Sequence, residues 1–202
     1  SYKGISGISY NFLSLVDGLT VNGSSIEWIY DAEGNKLRMN AGNEIRDYAR
    51  GFEYVNNVLE FATHNEGRAL YKNDNFQYEY IISDHLGNAR IMFSDINENG
   101  KIDESEVLQE NHYYPFGLQM QGSFIAPSSE SELNKYQYNG IEYINNADLD
   151  VNFATYRTLD PALGRWWQMD PKAETFFHLS PYASMSNNPI LYNDPNGDIL
   201  PA

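Results

Sequence analysis

The chain has 202 residues, 42% of them hydrophobic, enough to bury a core in one large domain or two small ones, which excludes a disordered tail. A formal charge of −15, from 28 acidic against 13 basic residues, would repel a phosphate backbone and argues against any nucleic-acid partner. The absence of cysteine removes disulfides, thiolate metal sites and cysteine nucleophiles together. From the N-terminus onward, Ser1 to Ile8 lack the charged-then-apolar pattern of an export signal, and the start at Ser1 suggests a piece of a longer polypeptide. Short Tyr-, Ile- and Phe-rich runs then alternate with Gly, Asn and Asp clusters. Ser25-Ile-Glu-Trp-Ile-Tyr30 is followed by Asp31-Ala-Glu-Gly-Asn35, and the run from Phe76 to Ile82 by Asp84-His-Leu-Gly-Asn88, which reads as strand, tight turn, strand. The 16 tyrosines favour the same reading, because the ring fills a pleated face while the hydroxyl reaches water. Helix candidates are few: 43–49 and 103–110 have the composition of a short helical turn, and 128–134 that of a polar loop or brief capped helix. No apolar run approaches the roughly 18 residues of a membrane helix, so direct membrane insertion is not expected.

The two turns share one pattern, Asp31-x-x-Gly34-Asn35 and Asp84-x-x-Gly87-Asn88, each after an aromatic or apolar strand, with Glu66-Gly67-Arg68 as a looser echo. A strand-turn-strand unit that cannot bury its own face must stack on neighbours, which is the logic of an array.

Two segments carry candidate chemistry. From Asp95 to Glu106 the sequence fits a calcium-binding EF-hand loop at every defined position. Side-chain oxygens of Asp95, Asn97 and Asn99 fall at positions 1, 3 and 5, and Gly100 gives the sharp turn. Lys101 offers its backbone carbonyl, Asp103 binds directly or through water, and Glu106 closes the site with two oxygens. The flank Ala89 to Phe93 reads as a strand rather than an entering helix, so the expectation is a lone Ca2+ staple between β-elements, of modest affinity and suited to extracellular calcium. The alternative is an acidic surface turn with no ion. The acidic balance is likewise open between an extracellular setting and simple solubility.

The second segment holds the Asp-Pro pairs Asp170-Pro171 and Asp194-Pro195, with Arg165 upstream. Two carboxylates brought together can share a proton as an aspartyl-type dyad does. The alternative is that Asp160, Asp170 and Asp194 simply begin turns, Asp accepting backbone hydrogen bonds while Pro fixes φ. The four histidines at 64, 85, 112 and 178 lack zinc-ligand spacing, and His85 and His112 are expected to face solvent or a neighbouring strand. No phosphate loop or G-x-S-x-G elbow is present. Tyr113, Tyr114 and Phe116, with Trp166 and Trp167, are read as core rather than a sugar platform, and Trp166 as a wedge holding the C-terminal part in place.

An ordered set of motifs carries a resemblance. Ile29-Tyr-Asp-Ala-Glu-Gly-Asn-Lys-Leu37 resembles the tyrosine-aspartate repeat of RHS proteins. The closing stretch resembles their RHS-repeat-associated core, through Tyr113-Tyr-Pro-Phe-Gly117, Tyr136-Gln-Tyr-Asn-Gly140, Tyr156-Arg157, Asp160-Pro-Ala-Leu-Gly-Arg165-Trp166, Met169-Asp170-Pro171, Ser180-Pro-Tyr182, Asn187-Asn-Pro189 and Asn193-Asp-Pro-Asn-Gly197. The resemblance implies an all-β fold: antiparallel hairpins forming part of a spiral β-shell, with a C-terminal plug of loops and short helices. On that basis 1–125 is the repeat strip with its inserted calcium loop at 95–106, and 126–202 the core or plug. The implied role is to enclose or present a passenger, often a toxin, in a secreted or bacterial cell-surface protein, the partners being the rest of the shell, the passenger, and a secretion or assembly partner at the cell surface. It also implies a single cut in cis after position 198, with Arg165, Asp170 and Asp194 as the catalytic candidates. Cleaving members carry Leu after Asp-Pro-x-Gly, whereas this chain has Asp198, a carboxylate that is costly to bury beside two others. The competing class is a calcium-stapled, aromatic-rich β-module that binds a cell-surface glycan or protein. A turnover hydrolase would need an open cleft between the two aspartates.

Overall fold

The computed structural model of the protein describes residues 2–127 and 132–198. Eleven strands run in chain order through one antiparallel meander. They are β1 (Ile5–Tyr10), β2 (Val16–Val21), β3 (Ser24–Tyr30), β4 (Lys36–Ala41), β5 (Glu44–Ala49), β6 (Phe52–Val55), β7 (Val58–His64), β8 (Gly67–Lys72), β9 (Asn75–Ser83), β10 (Ala89–Phe93) and β11 (Val107–Glu110). A second antiparallel sheet follows, built from β12 (Glu142–Ile144), β13 (Val151–Phe153), β14 (Thr158–Asp160) and β15 (Arg165–Trp166). The remainder is loops and 3-10 turns, so the fold is all-β as the residue pattern predicts.

Alternation sets which face is buried. In β3, Ile26 and Trp28 are buried while Glu27 and Ile29 are exposed, the period-two signature of a sheet covered on one side. What covers it is the second sheet: Val16, Leu19, Val21, Ile26, Trp28 and Met39 pack against Ile144, Leu149, Val151 and Phe153. Trp28 and Phe153 stack with centroids 4.9 Å apart. A second cluster, Tyr138, Ile141, Ala154, Leu159, Trp166 and Met185, lies within the C-terminal part, with Tyr113 and Phe116 packed on it, while Tyr114 is exposed. Trp166 and Trp167 therefore both serve packing, Trp167 against the first cluster.

The two Asp-x-x-Gly-Asn turns are built alike. Asp31 Oδ1 accepts the amides of Glu33 and Asn35, and Asp84 Oδ1 those of Leu86 and Asn88. In each, the Asn side-chain amide donates to the other carboxylate oxygen at 2.9 Å. Gly34 and Gly87 hold φ of +88° and +80°, where a side chain is strained. Glu66-Gly67 does not repeat this; there Glu66 N donates to His64 Nδ1.

The helix readings need correction. The segment 44–49 is β5, paired on both edges, with Arg46 turned inward and Ile45 outward. Ladder hydrogen bonds on both sides outweigh its modest helix propensity. Of 103–110, only Glu104–Glu106 forms a 3-10 turn, capped by Asp103, before the chain extends as β11. In 128–134, residues 128–131 lie outside the described residues.

Candidate functional site

Three Asp-Pro steps begin turns in the C-terminal part. Asp160 Oδ1 accepts from Ala162 N and Leu163 N, Asp170 Oδ1 from Lys172 N, and Asp194 Oδ1 from Gly197 N and Asp198 N. Two of them meet. Nη2 of Arg157 lies 2.8 Å from Asp170 Oδ2 and 3.0 Å from Asp194 Oδ2. The same guanidinium donates through Nε to Gly197 O at 2.5 Å and through Nη1 to Pro181 O at 3.2 Å. Its face lies 4.7 Å from the Trp166 ring centroid. Arg157 is 2% exposed, and burial pulls its pKa below the usual value against the opposing pull of the two carboxylates.

The fold thus brings Asp170 and Asp194 together and leaves Arg165 out. Arg165 pairs with Asp160 in the β14–β15 ladder and turns its side chain to solvent. The arginine between the carboxylates is Arg157, immediately before β14, inside the Tyr156-Arg157 motif. Between Arg157, Asp170, Pro181, Met185 and Asp194 the free space is about 20 Å³, enough for one water molecule, which needs roughly 10–15 Å³. Asp198 is buried, with Oδ2 at 2.8 Å from Lys172 Nζ and Oδ1 without a partner.

The acidic loop is an independent structure. Asp95 accepts from Asn99 N and Gly100 N, Asn97 Oδ1 from Asn99 N, and Asn99 Oδ1 from Lys101 N. Glu106 is buried; its Oε1 accepts from Ile96 N and Asn97 N, and its Oε2 from Asp103 N, so the twelfth position folds back onto the start of the loop. Hydrogen bonds from Ser105 hold the Asp103 carboxyl below the usual range. Among the described residues no three His, Asp or Glu side chains converge as a metal cluster. The donor set that the motif calls for also includes two Asn oxygens and a backbone carbonyl.

A third cluster, invisible in the motifs, joins the two sheets. Glu142 of β12 accepts from Tyr48 OH of β5 at 2.7 Å and pairs with Lys36 of β4. Glu53 of β6 accepts from Tyr136 OH at 2.5 Å and from Arg46 Nη1 at 2.8 Å, while Arg46 also binds Glu60. Burial, then the charge of Glu142, pushes the Glu53 carboxyl up. Burial pushes Glu142 up as well, but Lys36 outweighs it and leaves that carboxyl low. Under β8 and β9, Arg68 pairs with the buried Glu79 and donates to the backbone carbonyls of Glu132 and Leu133. The strip and the C-terminal part are therefore held by apolar packing at β2–β4 and by one ion pair and hydrogen bonds to charged side chains at β4–β9.

No protein-family model matches the chain. It is 27% identical over 171 residues to Salivary gland surface protein 1 of Aedes aegypti, which covers 81% of this chain and 4% of that protein. Its fold is similar to the crystal structures of TcdB2-TccC3-Cdc42, with a TM-score of 0.77 and 20% identity over 96% of this chain, and of TcdB2-TccC3, with a TM-score of 0.75. It is equally similar to the Photorhabdus luminescens Tc holotoxin pore, with a TM-score of 0.75 over 98% of this chain. In each of these the chain spans only 10% of the length of its neighbour. The protein thus shares an all-β fold with these Tc structures. Among the described residues no helix is long and apolar enough to cross a membrane.

Proposed function

We propose that the chain is the closing segment of a larger RHS-type shell, secreted or displayed at the cell surface, in which β1–β11 form wall and the part after β11 forms a plug beside an enclosed or presented passenger. The observation that carries this is the second sheet sealed against one face of the strip by the shared apolar cluster, the buried Lys36–Glu142 ion pair and the hydrogen bond from Tyr136 to Glu53. The chain is cut once, in cis, after Asp198. Water adds to the carbonyl carbon of Asp198, its proton passes to one carboxylate of the Asp170–Asp194 pair, and a proton from the other carboxyl goes to the departing amine. The products are a new carboxylate at Asp198 and a free amine. A carboxyl that carries the proton gives up its salt bridge, so one of the two contacts to Arg157 Nη2 opens during the cut. A cavity with room for one water, lined by Arg157 and both aspartates, supports this reading. Intact mass of a longer polypeptide, with the natural residues after 198 in place, tests it. The expected species ends at Asp198 and disappears in Asp170→Asn and Asp194→Asn; an uncut chain, or cutting unchanged by both substitutions, rules the reaction out.

The loop 95–106 is a calcium staple within the wall, with Asp95, Asn97, Asn99, the Lys101 carbonyl, Asp103 and Glu106 as donors. Calcium supplies the counter-charge for three carboxylates there. The backbone-braced carboxylates and the buried Glu106 support the fit. Calorimetric titration of the chain with calcium should give heat of binding that Glu106→Gln abolishes; no heat in the parent chain removes the proposal.

One observation favours surface binding in addition. On the face of β9 away from the plug, Phe76, Tyr78 and Ile82 are 42%, 57% and 53% exposed, alternating with buried Glu79. The His64 ring packs against both Tyr78 and Tyr80. Rings with a flat face and a hydroxyl suit a glycan. Loss of binding to a cell-surface glycan array in Tyr78→Ser, with melting unchanged, tests it, and equal binding refutes it.

A further inference from the structure

The site after β15 contains three carboxylates, Asp170, Asp194 and Asp198, and Arg157 is committed to the first two together with the carbonyls of Gly197 and Pro181. Asp198 nevertheless lies buried, its amide on Asp194 Oδ1 at 3.0 Å. A charge taken out of water beside two others of the same sign needs a cation. The chain supplies one from the turn that carries Asp170: Lys172 N donates to Asp170 Oδ1 at 2.7 Å, and Lys172 Nζ lies 2.8 Å from Asp198 Oδ2. The lysine side chain is 44% exposed and the aspartate side chain 11%, so the pair closes the site from its solvent side. We propose that Lys172 is a positioning residue that fixes Asp198, and with it the bond to be cut, against the Asp170–Asp194 pair. Two steps of one turn are thereby coupled: Asp170 faces the reaction through Arg157, and Lys172, two residues on, holds the residue before the cut. Asp198 is the specificity-determining position, and a residue there is accepted when it reaches the ammonium of Lys172.

This rests on the cis-cleavage reading, and the test separates the two. Cleavage rates are measured by intact mass in the longer polypeptide carrying Lys172→Gln, Lys172→Arg, Asp198→Asn, the Lys172→Gln/Asp198→Asn double variant, and Asp194→Asn. Hydrogen exchange of the Asp198 amide is followed in the same proteins. The half-exposed pair should give about a tenfold slower cut and about tenfold faster exchange in Lys172→Gln. Lys172→Arg should restore both, and Lys172→Gln should have no further effect in the Asp198→Asn background, a coupling that loss of packing alone would not produce. Unchanged exchange in Lys172→Gln overturns the proposal whether or not the chain is cut. So does a normal cutting rate in that variant. Cutting that persists in Asp194→Asn overturns the cleavage reading itself, while altered exchange in Lys172→Gln would still uphold the Lys172–Asp198 contact.

Discussion

Arg157 makes all its contacts from a side chain that is 2% exposed: two carboxylates, two backbone carbonyls and the Trp166 face. Removing one member of such a buried group strands the others, so Arg157→Gln should lower stability by about 3–5 kcal/mol in urea melts. Lys at this position keeps the charge without the planar fork and should fall between the two. The pair Glu53 and Glu142 sets the pH response. Glu53 is raised by burial and by Glu142, so the folded state binds its proton more readily than the unfolded chain. Stability from this group grows as pH falls from neutral through its folded pKa, and levels off below the ordinary glutamate value. Glu142 is lowered, chiefly by Lys36 against its burial, so its contribution is present above the ordinary value and lost as pH falls through the folded one. The groups facing the pair are Lys36, Tyr48, Arg46, Glu60 and Tyr136. Melting temperature against pH should therefore peak in weak acid, and Glu53→Gln should flatten the rise between neutral and that peak; an unchanged rise would place its origin elsewhere. Asp170 and Asp194 are legible because Asp-Pro is strong turn punctuation. Arg157 is harder to single out: it stands 13 and 37 residues away from them, and only the closing of β14 against the C-terminal loops brings it between them.

The repeated turn shows what an element adds to identical chemistry. Asp31 and Asp84 make the same three hydrogen bonds, but Asn88 is buried and accepts through Oδ1 from Asn139 N of the C-terminal part at 2.8 Å, whereas the Asp31 turn is solvent-facing. Asp31→Ala should therefore cost about 1 kcal/mol and Asp84→Ala about 2–3 kcal/mol, read as a difference in urea midpoint at equal m. The 95–106 loop lies between β10 and β11, so calcium bound there, as proposed, would stabilise the far edge of the strip. Calcium at about 100 times its Kd should then add about 2.7 kcal/mol, reversed by chelator and absent in Glu106→Gln. The repeated turn is legible because turn geometry constrains residue type position by position. Strand β5 is not, since Glu44 to Ala49 mixes helix-compatible residues with one inward arginine whose partners, Glu53 and Glu60, come from the next two strands. A local pattern cannot show that an inward charge is paired, and an inward charge spoils the alternation by which a strand is recognised.

For the molecule as a whole, the alternation and the repeated turns are enough to indicate a hairpin array, but not that one of its faces changes from apolar to mixed. Beneath β2–β4 the shared layer is Val16, Leu19, Ile26, Trp28 and Met39; beneath β5–β11 the buried Arg46, Glu53, Arg68, Glu79 and Gln109 stand among Phe61, Leu70 and Met92. Neither half tolerates separation: the first would expose a contiguous apolar surface, and the second would leave charges whose partners are Tyr136, Glu142 and the backbone at Glu132 and Leu133. Strip and plug should therefore unfold in one transition. Trp28 reports on the strip and Trp166 and Trp167 on the C-terminal part, so fluorescence of Trp28→Phe and of the Trp166→Phe/Trp167→Phe double variant, together with far-ultraviolet circular dichroism, gives three views of the same melt. Coincident midpoints are the expected result. Trp28→Ala, which removes the stack on Phe153, should lower stability by about 3–5 kcal/mol, read alike by the fluorescence of the remaining tryptophans and by circular dichroism. A C-terminal signal that melts ahead of the strip would mean that the contacts between the two sheets are weaker than those within the strip, and would count against the proposed role of the C-terminal part as a fixed plug.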